Sequence, residues 1–235
     1  MAPTLEAHMK APIRHLMQGA MGLDVVVEEF SAGYGIADLV GGVVCRRGQL
    51  TREGAGIAEP LDDWKIWEVL HVLNTRRFKT VAELAGQVSL SASTLRGSVL
   101  PRMYRMGLLE RASDNRVRLK VSPSAPVEQI VAVEAKQHRW LDAVRQAYRY
   151  TSFANRTYVA VWNGAAARVD RSLLRKLRLG LIGVEPDGAE VLVCAQAVKP
   201  RRPKMHRYCS EALYRRMMDG EPANSKCAAM PPPRV

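Results

Sequence analysis

The stretch IVAVEAK, Ile130 to Lys136, decides how this sequence folds. Its β-branched residues alternate and its end is charged, so it reads as a strand. Glu134 and Lys136 are two apart, and on a strand both point to one face. Charged groups bracketed by Val, Ile and Ala are costly unless they are paired or coordinate a cation. A third such group, Asp38, lies in GIADLVGGVV, which reads as another strand. If the two strands are neighbours, Asp38 joins Glu134 and Lys136. Two carboxylates and an ammonium around one point form a hard-oxygen site for a divalent metal, with the lysine as partner of an attacking water. The alternative makes Glu134 and Lys136 a surface pair at a strand end and Asp38 a turn cap.

Outward from this strand the pattern alternates between helix and strand. LEAHMKAPIRHLMQG places Leu5, Met9, Ile13 and Leu16 on one helical face, and VVVEEF is a strand before GIADLVGGVV. After Lys136 come a helix in RWLDAVRQAYRYTSFA, a strand in RTYVAVW, a second helix in RSLLRKLRL, and strands in GLIGVE and VLVCAQAV. This order predicts an α/β (α+β) unit, a mixed sheet flanked by helices.

Residues 60–122 interrupt that unit with a different pattern. A Gly-rich charged run at 46–60 reads as a linker, and SPSAP at 122–126 is a second break. Between them, DDWKIWEVLHVLNTR is helical, with Asp62 and Asp63 at its acidic start. Thr80 and Glu83 have capping-box spacing, and Ser91 or Ser93 opens a third helix that Gly107 ends. LLERASDNRVRLKV then reads as two short strands around a turn. Helix, helix, turn, helix and a basic two-stranded wing resemble a winged helix-turn-helix. In that family the third helix enters the major groove and the wing contacts phosphate. The resemblance implies DNA contacts from Arg96, Arg102 and Arg105 on the helix, and from Arg116, Arg118 and Lys120 in the wing. The alternative is a helical module used for protein contacts.

The outer unit carries a second resemblance. Asp38 followed by Glu134-Ala135-Lys136 is similar to the PD-(D/E)XK nuclease superfamily, with its restriction-endonuclease-like fold. Gly33-Tyr34-Gly35-Ile36-Ala37-Asp38 resembles the glycine-led approach to the acidic residue in Mrr-like and junction-resolvase members, with Ala37 in place of the motif's proline. Gln146-Ala147-Tyr148-Arg149-Tyr150 resembles the QxxxY motif of RecB-like members. The resemblance implies Mg²⁺ (or Mn²⁺) held by Asp38, Glu134 and the carbonyl of Ala135, with Glu6 as an additional ligand. It also implies that Lys136 orients the attacking water and that Gln146 and Tyr150 brace the site. Arg139, Arg145 and Arg149, on the helix after Lys136, could hold phosphate or form a solvated face. Arg168, Arg171, Arg175, Lys176 and Arg178 concentrate charge in a short span, which favours a backbone-binding surface.

The expected organisation is therefore a nuclease-like core over 1–50 and 127–198, a winged helix-turn-helix at 60–122, and a basic Pro-rich tail at 199–235. The net charge of +12 calls for a polyanionic partner. No apolar run approaches the ~18 residues a membrane span needs. No P-loop or dinucleotide motif points to a nucleotide-driven motor. Four scattered cysteines without CxxC pairing fit reduced thiols in a cytoplasmic protein. The expected activity is metal-dependent hydrolysis of DNA phosphodiester bonds, and superfamily practice adds a homodimer. The rival expectation is a non-catalytic winged-helix DNA-binding regulator with a nuclease-like accessory domain.

Overall fold

The computed structural model describes residues 7–32 and 35–220. In chain order the elements are α1 (Ala7–Gln18), β1 (Val25–Ser31), β2 (Ile36–Val44), α2 (Arg46–Gly54), α3 (Trp64–Val72), α4 (Val81–Ala85) and α5 (Ala92–Thr94). A π-helical turn (Leu95–Val99) joins α5 to α6 (Leu100–Arg105), which leads to β3 (Leu109–Arg111), β4 (Val117–Leu119) and β5 (Val127–Ala135). There follow α7 (Trp140–Tyr150), β6 (Arg156–Trp162), α8 (Asn163–Ala166), α9 (Arg171–Leu177), β7 (Gly180–Glu185), β8 (Gly188–Val193) and α10 (Pro203–Asp219). Contacts divide the chain into two units, Met1–Val44 with Val127–Val235, and Cys45–Pro126.

The first unit is a mixed α/β structure built on six strands in the order β1-β2-β5-β6-β7-β8. β1, β2 and β5 pair antiparallel, β5, β6 and β7 pair parallel, and β8 closes the edge antiparallel. Parallel neighbours need crossovers, and α7 and α9 supply them. Strand alternation sorts the two faces. Val131, Val133 and Ala135 pack with Met9, Ile13 and Met17 of α1. Val159, Val161 and Leu181 pack with Ala143, Val144 and Ala147 of α7 on the other face. Glu134 pairs with Val159, so its side chain shares the α7 face.

Two expectations are corrected here. The region from Lys199 reads as a Pro-rich tail, yet Pro203–Asp219 form a helix that buries Met205, Tyr208, Cys209, Ala212 and Leu213. These recur at helical spacing, and Pro203 sits at the first helical position, where its missing N–H costs nothing. The Ser210 hydroxyl accepts from the Val127 N–H (3.0 Å) and donates to the Val127 carbonyl (2.8 Å), tying α10 to β5. The run at 46–60 reads as a linker, yet its first part forms α2. Arg52 on that helix is 2% exposed and donates to the carbonyls of Glu59 (2.9 Å) and Ser124 (3.3 Å). A buried guanidinium bonded to carbonyls from residue 59 and from residue 124 keeps the helix in place.

In the second unit, Asp63 caps α3, Ser91 caps α5, and Thr80 and Glu83 form the reciprocal capping box at α4. The π-helical turn precedes Pro101, and within it the Leu100 N–H donates to the carbonyl of Leu95. Proline brings no N–H and its ring presses on the preceding turn, which widens the helix there. Gly107, at φ 70°, ends α6. β3 and β4 form a hairpin, with Leu109 opposite Leu119. Lys79 adds a bridge to Val117 on its outer side.

Candidate functional site

β2 and β5 bring the charged groups together. Leu39 pairs with Val133, so the next residue on each strand, Asp38 and Glu134, lies at the same end of the ladder. The Ala135 N–H donates to Asp38 Oδ2 at 2.8 Å. A residue's N–H and C=O project toward the same neighbouring strand, so the Ala135 carbonyl also faces the Asp38 side. The Lys136 ammonium lies 3.1 Å from Glu134 Oε1 and 3.9 Å from Asp38 Oδ2. Glu134 is 1% exposed, whereas the Asp38 and Lys136 side chains keep about a fifth of their surface at 20% and 19%. The cluster thus has a buried root and an open edge.

Tyr150 reaches this cluster from α7. Its hydroxyl lies 2.6 Å from Glu134 Oε2 and 2.9 Å from the carbonyl oxygen of Ile36. With Glu134 ionised, the phenol donates to it. With Glu134 protonated, the carboxyl donates to the phenol oxygen and the phenol donates to Ile36. Burial pushes the Glu134 carboxyl above the usual range, and the charge of Asp38 adds to the shift. Burial also raises Asp38, against the opposing Ala135 N–H and Lys136 ammonium. Burial first and Glu134 second raise the Tyr150 phenol, which therefore stays protonated. A further cation held between the two carboxyls would favour their ionised forms.

Other residues named from sequence fall into four groups. Gln146 sits one turn before Tyr150, half-buried, and its side chain makes no hydrogen bond among the described residues. Glu6, Gly33 and Tyr34 lie outside the described residues. Several arginines are already neutralised: Arg102 pairs with Asp63 (2.8 Å), Arg116 with Asp114 (2.6 Å) and Arg118 with Glu110 (2.9 Å). Arg118 also stacks on the Phe78 ring at 4.4 Å. Arg139 and Arg145 share Asp142. Arg96, Arg105, Lys120 and Arg149 are exposed.

Sequence reasoning passed over a pair beside the cluster. Glu29 falls opposite Asp38 in the β1–β2 register but adopts φ 50°, so it leaves the ladder. Its carboxylate pairs with Lys10 of α1, and both charges act on Asp38. The available signal was the doubled glutamate that follows three valines in β1. Among the described residues no three His, Cys, Asp or Glu side chains gather as a metal group. The oxygen set is two carboxylates and a backbone carbonyl. That suits Mg²⁺ or Mn²⁺, which commonly take one or two carboxylates and complete their shell with water and phosphate oxygens.

No family model matches the chain, and no curated protein matches it. A solved structure of a protein of unknown function from Silicibacter pomeroyi is similar over 94% of this chain and 95% of its own. The identity is 14% and the TM-score 0.43, a likeness that carries no argument about this chain. Among the described residues no helix is long and apolar enough to cross a membrane.

Proposed function

We propose that the first unit is a metal-dependent DNA nuclease of PD-(D/E)XK type and that Cys45–Pro126 is a winged helix-turn-helix inserted between two of its strands. One observation carries the reading: a single lysine ammonium within 4 Å of two buried-edge carboxylates, on adjacent strand ends. The connectivity supports it. A helix, an antiparallel pair carrying the aspartate, a strand carrying Glu-X-Lys, a helix and a parallel strand follow one another around the insertion.

Asp38, Glu134 and the Ala135 carbonyl would hold the cation. A bound divalent ion supplies Lewis-acid polarisation of the scissile phosphate and a more acidic water. Lys136 orients that water and offsets charge that builds on the phosphate. Tyr150 holds Glu134 in place and braces Ile36, next to the approach to Asp38. The exposed Arg96, Arg105 and Lys120 would meet the duplex, with the helix positioned in the groove and the wing on the backbone. Cutting both strands needs two such centres, so a homodimer on DNA belongs to this proposal.

Incubation of the protein with linear and circular DNA and Mg²⁺ or Mn²⁺ tests it. Cutting is expected for the wild type, and loss of cutting with binding intact for Lys136→Ala. Equal cutting by both proteins removes the assignment. The exposed Arg96, Arg105 and Lys120 of the insertion equally support a second reading, a non-catalytic winged-helix regulator. It predicts duplex binding that needs no divalent metal and ignores Asp38→Ala.

A further inference from the structure

Arg102, Arg116, Arg118, Arg139 and Arg145 already face a carboxylate, but the basic run on and around α9 does not. Arg168, Arg171, Arg175 and Arg178 follow each other at steps of three, four and three residues, and Lys176 flanks them. Arg171 and Arg175 lie one turn apart on α9, with Arg168 in the turn before the helix and Arg178 at its left-handed C-cap. All five side chains are exposed, and none makes an ion pair or a side-chain hydrogen bond among the described residues. The nearby Asp170 is occupied as the cap of α9, accepting from the N–H groups of Ser172 (2.8 Å) and Leu173 (3.1 Å). Leu174 is buried, and Leu173 and Leu177 pack against the same core, so the inner face is pinned and the basic face turned outward.

Topology places this ridge at a useful end of the sheet. β5, β6 and β7 are parallel, so Lys136, Trp162 and Glu185 mark one edge. α8 and Arg168 follow directly from the end of β6, on the edge where β5 ends in Glu-Ala-Lys. α9 then runs back along the sheet. In open α/β sheets, the carboxyl ends of the strands are where ligands bind.

We propose that the Arg168–Arg178 ridge binds the phosphodiester backbone of duplex DNA and leads it to the edge that carries Asp38, Glu134 and Lys136. At helical rise α9, from Arg171 to Leu177, is roughly 9 Å long. One strand of B-DNA presents a phosphate every ~3.4 Å of axis, so α9 faces about three of them. Unpaired arginines suit this partner because no internal ion pair has to be broken first. The inference rests on the nucleic-acid part of the proposed function and not on cleavage.

The test is a salt titration of binding by the whole protein to a fluorescent duplex in EDTA, where no cutting occurs. The triple substitution Arg171→Gln, Arg175→Gln, Arg178→Gln is expected to flatten the plot of log affinity against log salt by about one unit per arginine. The matching triple substitution to Lys keeps the charge and is expected to keep the slope. The control pair Arg139→Gln, Arg145→Gln removes arginines already held by Asp142 and is expected to change it less. Circular dichroism melting checks that each variant is folded. A slope in the Gln triple equal to wild type overturns the proposal, as does a wild type that does not bind DNA. Loss of binding to phosphatidylserine vesicles with DNA binding unchanged also overturns it, and assigns the ridge to a membrane surface. A flattened slope in a protein that never cuts leaves the ridge standing and removes the nuclease reading. Cutting with an unchanged slope does the reverse.

Discussion

Tyr150 has one hydroxyl hydrogen and two oxygen acceptors in reach, so its role depends on the charge of Glu134. Tyr150→Phe takes the one phenol hydrogen from the buried Glu134 carboxylate or the Ile36 carbonyl, at a cost of about 1–3 kcal/mol, read as a fall in Tm. Loss of this support is also expected to lower metal-dependent cutting by roughly 10–100-fold, because partners that orient a ligand matter on that scale. A mere packing role would lower Tm and leave the metal dependence of the rate unchanged. The raised carboxyls carry a pH prediction of definite sign. Asp38 and Glu134 hold protons in the native state at pH values where the unfolded chain has released them. Without metal, their contribution to stability is complete below the ordinary carboxylate range and is lost as pH rises through the folded values. Metal binding needs the ionised forms, so Mg²⁺ affinity runs the other way and climbs with pH. Melting in EDTA and in Mg²⁺ across this window is expected to show a metal-induced gain that grows with pH. At about 100-fold Kd the gain reaches about 2.7 kcal/mol. A gain independent of pH would mean that these carboxyls do not hold the ion.

Elements tolerate change according to what lies beyond them. A Cβ on Gly180, at the start of β7, would meet the Tyr158 ring at 2.3 Å and the Val193 carbonyl oxygen at 2.7 Å. Neighbouring strands supply both contacts, and a backbone oxygen cannot swing aside. Gly180→Ala is therefore expected to destabilise the sheet by about 1–3 kcal/mol, seen as a lower chemical-denaturation midpoint. The same distinction explains what could be read from sequence. The strand Val127–Ala135 and the helix Trp140–Tyr150 are visible because period and composition are local properties. The Glu134–Lys136 spacing is local too. α10 was hidden because prolines and basic residues around it dominate the composition, while its stripe of Met205, Tyr208, Cys209 and Ala212 is sparse. α2 was hidden because Arg52, its buried anchor, is a residue type almost always read as surface. The pairing of Glu29 with Lys10, and the neutralisation of Arg102 by Asp63, join residues far apart in sequence, and no spacing rule reports them.

The whole molecule is a sheet interrupted between two neighbouring strands, and the interruption is geometrically inexpensive. Val44 pairs with Val127, so the two ends of the outer unit meet across one ladder position. The inserted unit closes in the same way, with the Cys45 N–H donating to the Pro126 carbonyl at 2.8 Å. A segment whose ends are adjacent can be removed without stretching what remains. The test replaces residues 45–126 with Asn-Gly, the pair that best suits a two-residue hairpin turn. Asp38, Glu134 and Tyr150, on β2, β5 and α7, and Lys136, just after β5, all lie outside the excised range. The shortened protein is expected to melt cooperatively and to keep metal-dependent cutting, while its duplex affinity falls and its salt slope flattens through loss of Arg96, Arg105 and Lys120. Cutting retained with undiminished affinity would assign DNA binding to the outer unit alone and turn the insertion into a module for another partner. Loss of cutting in a protein that still melts cooperatively would mean that the insertion presents the substrate. Between these outcomes, an insertion that merely raises affinity separates from one that, on the proposed nuclease reading, chooses where the duplex is cut.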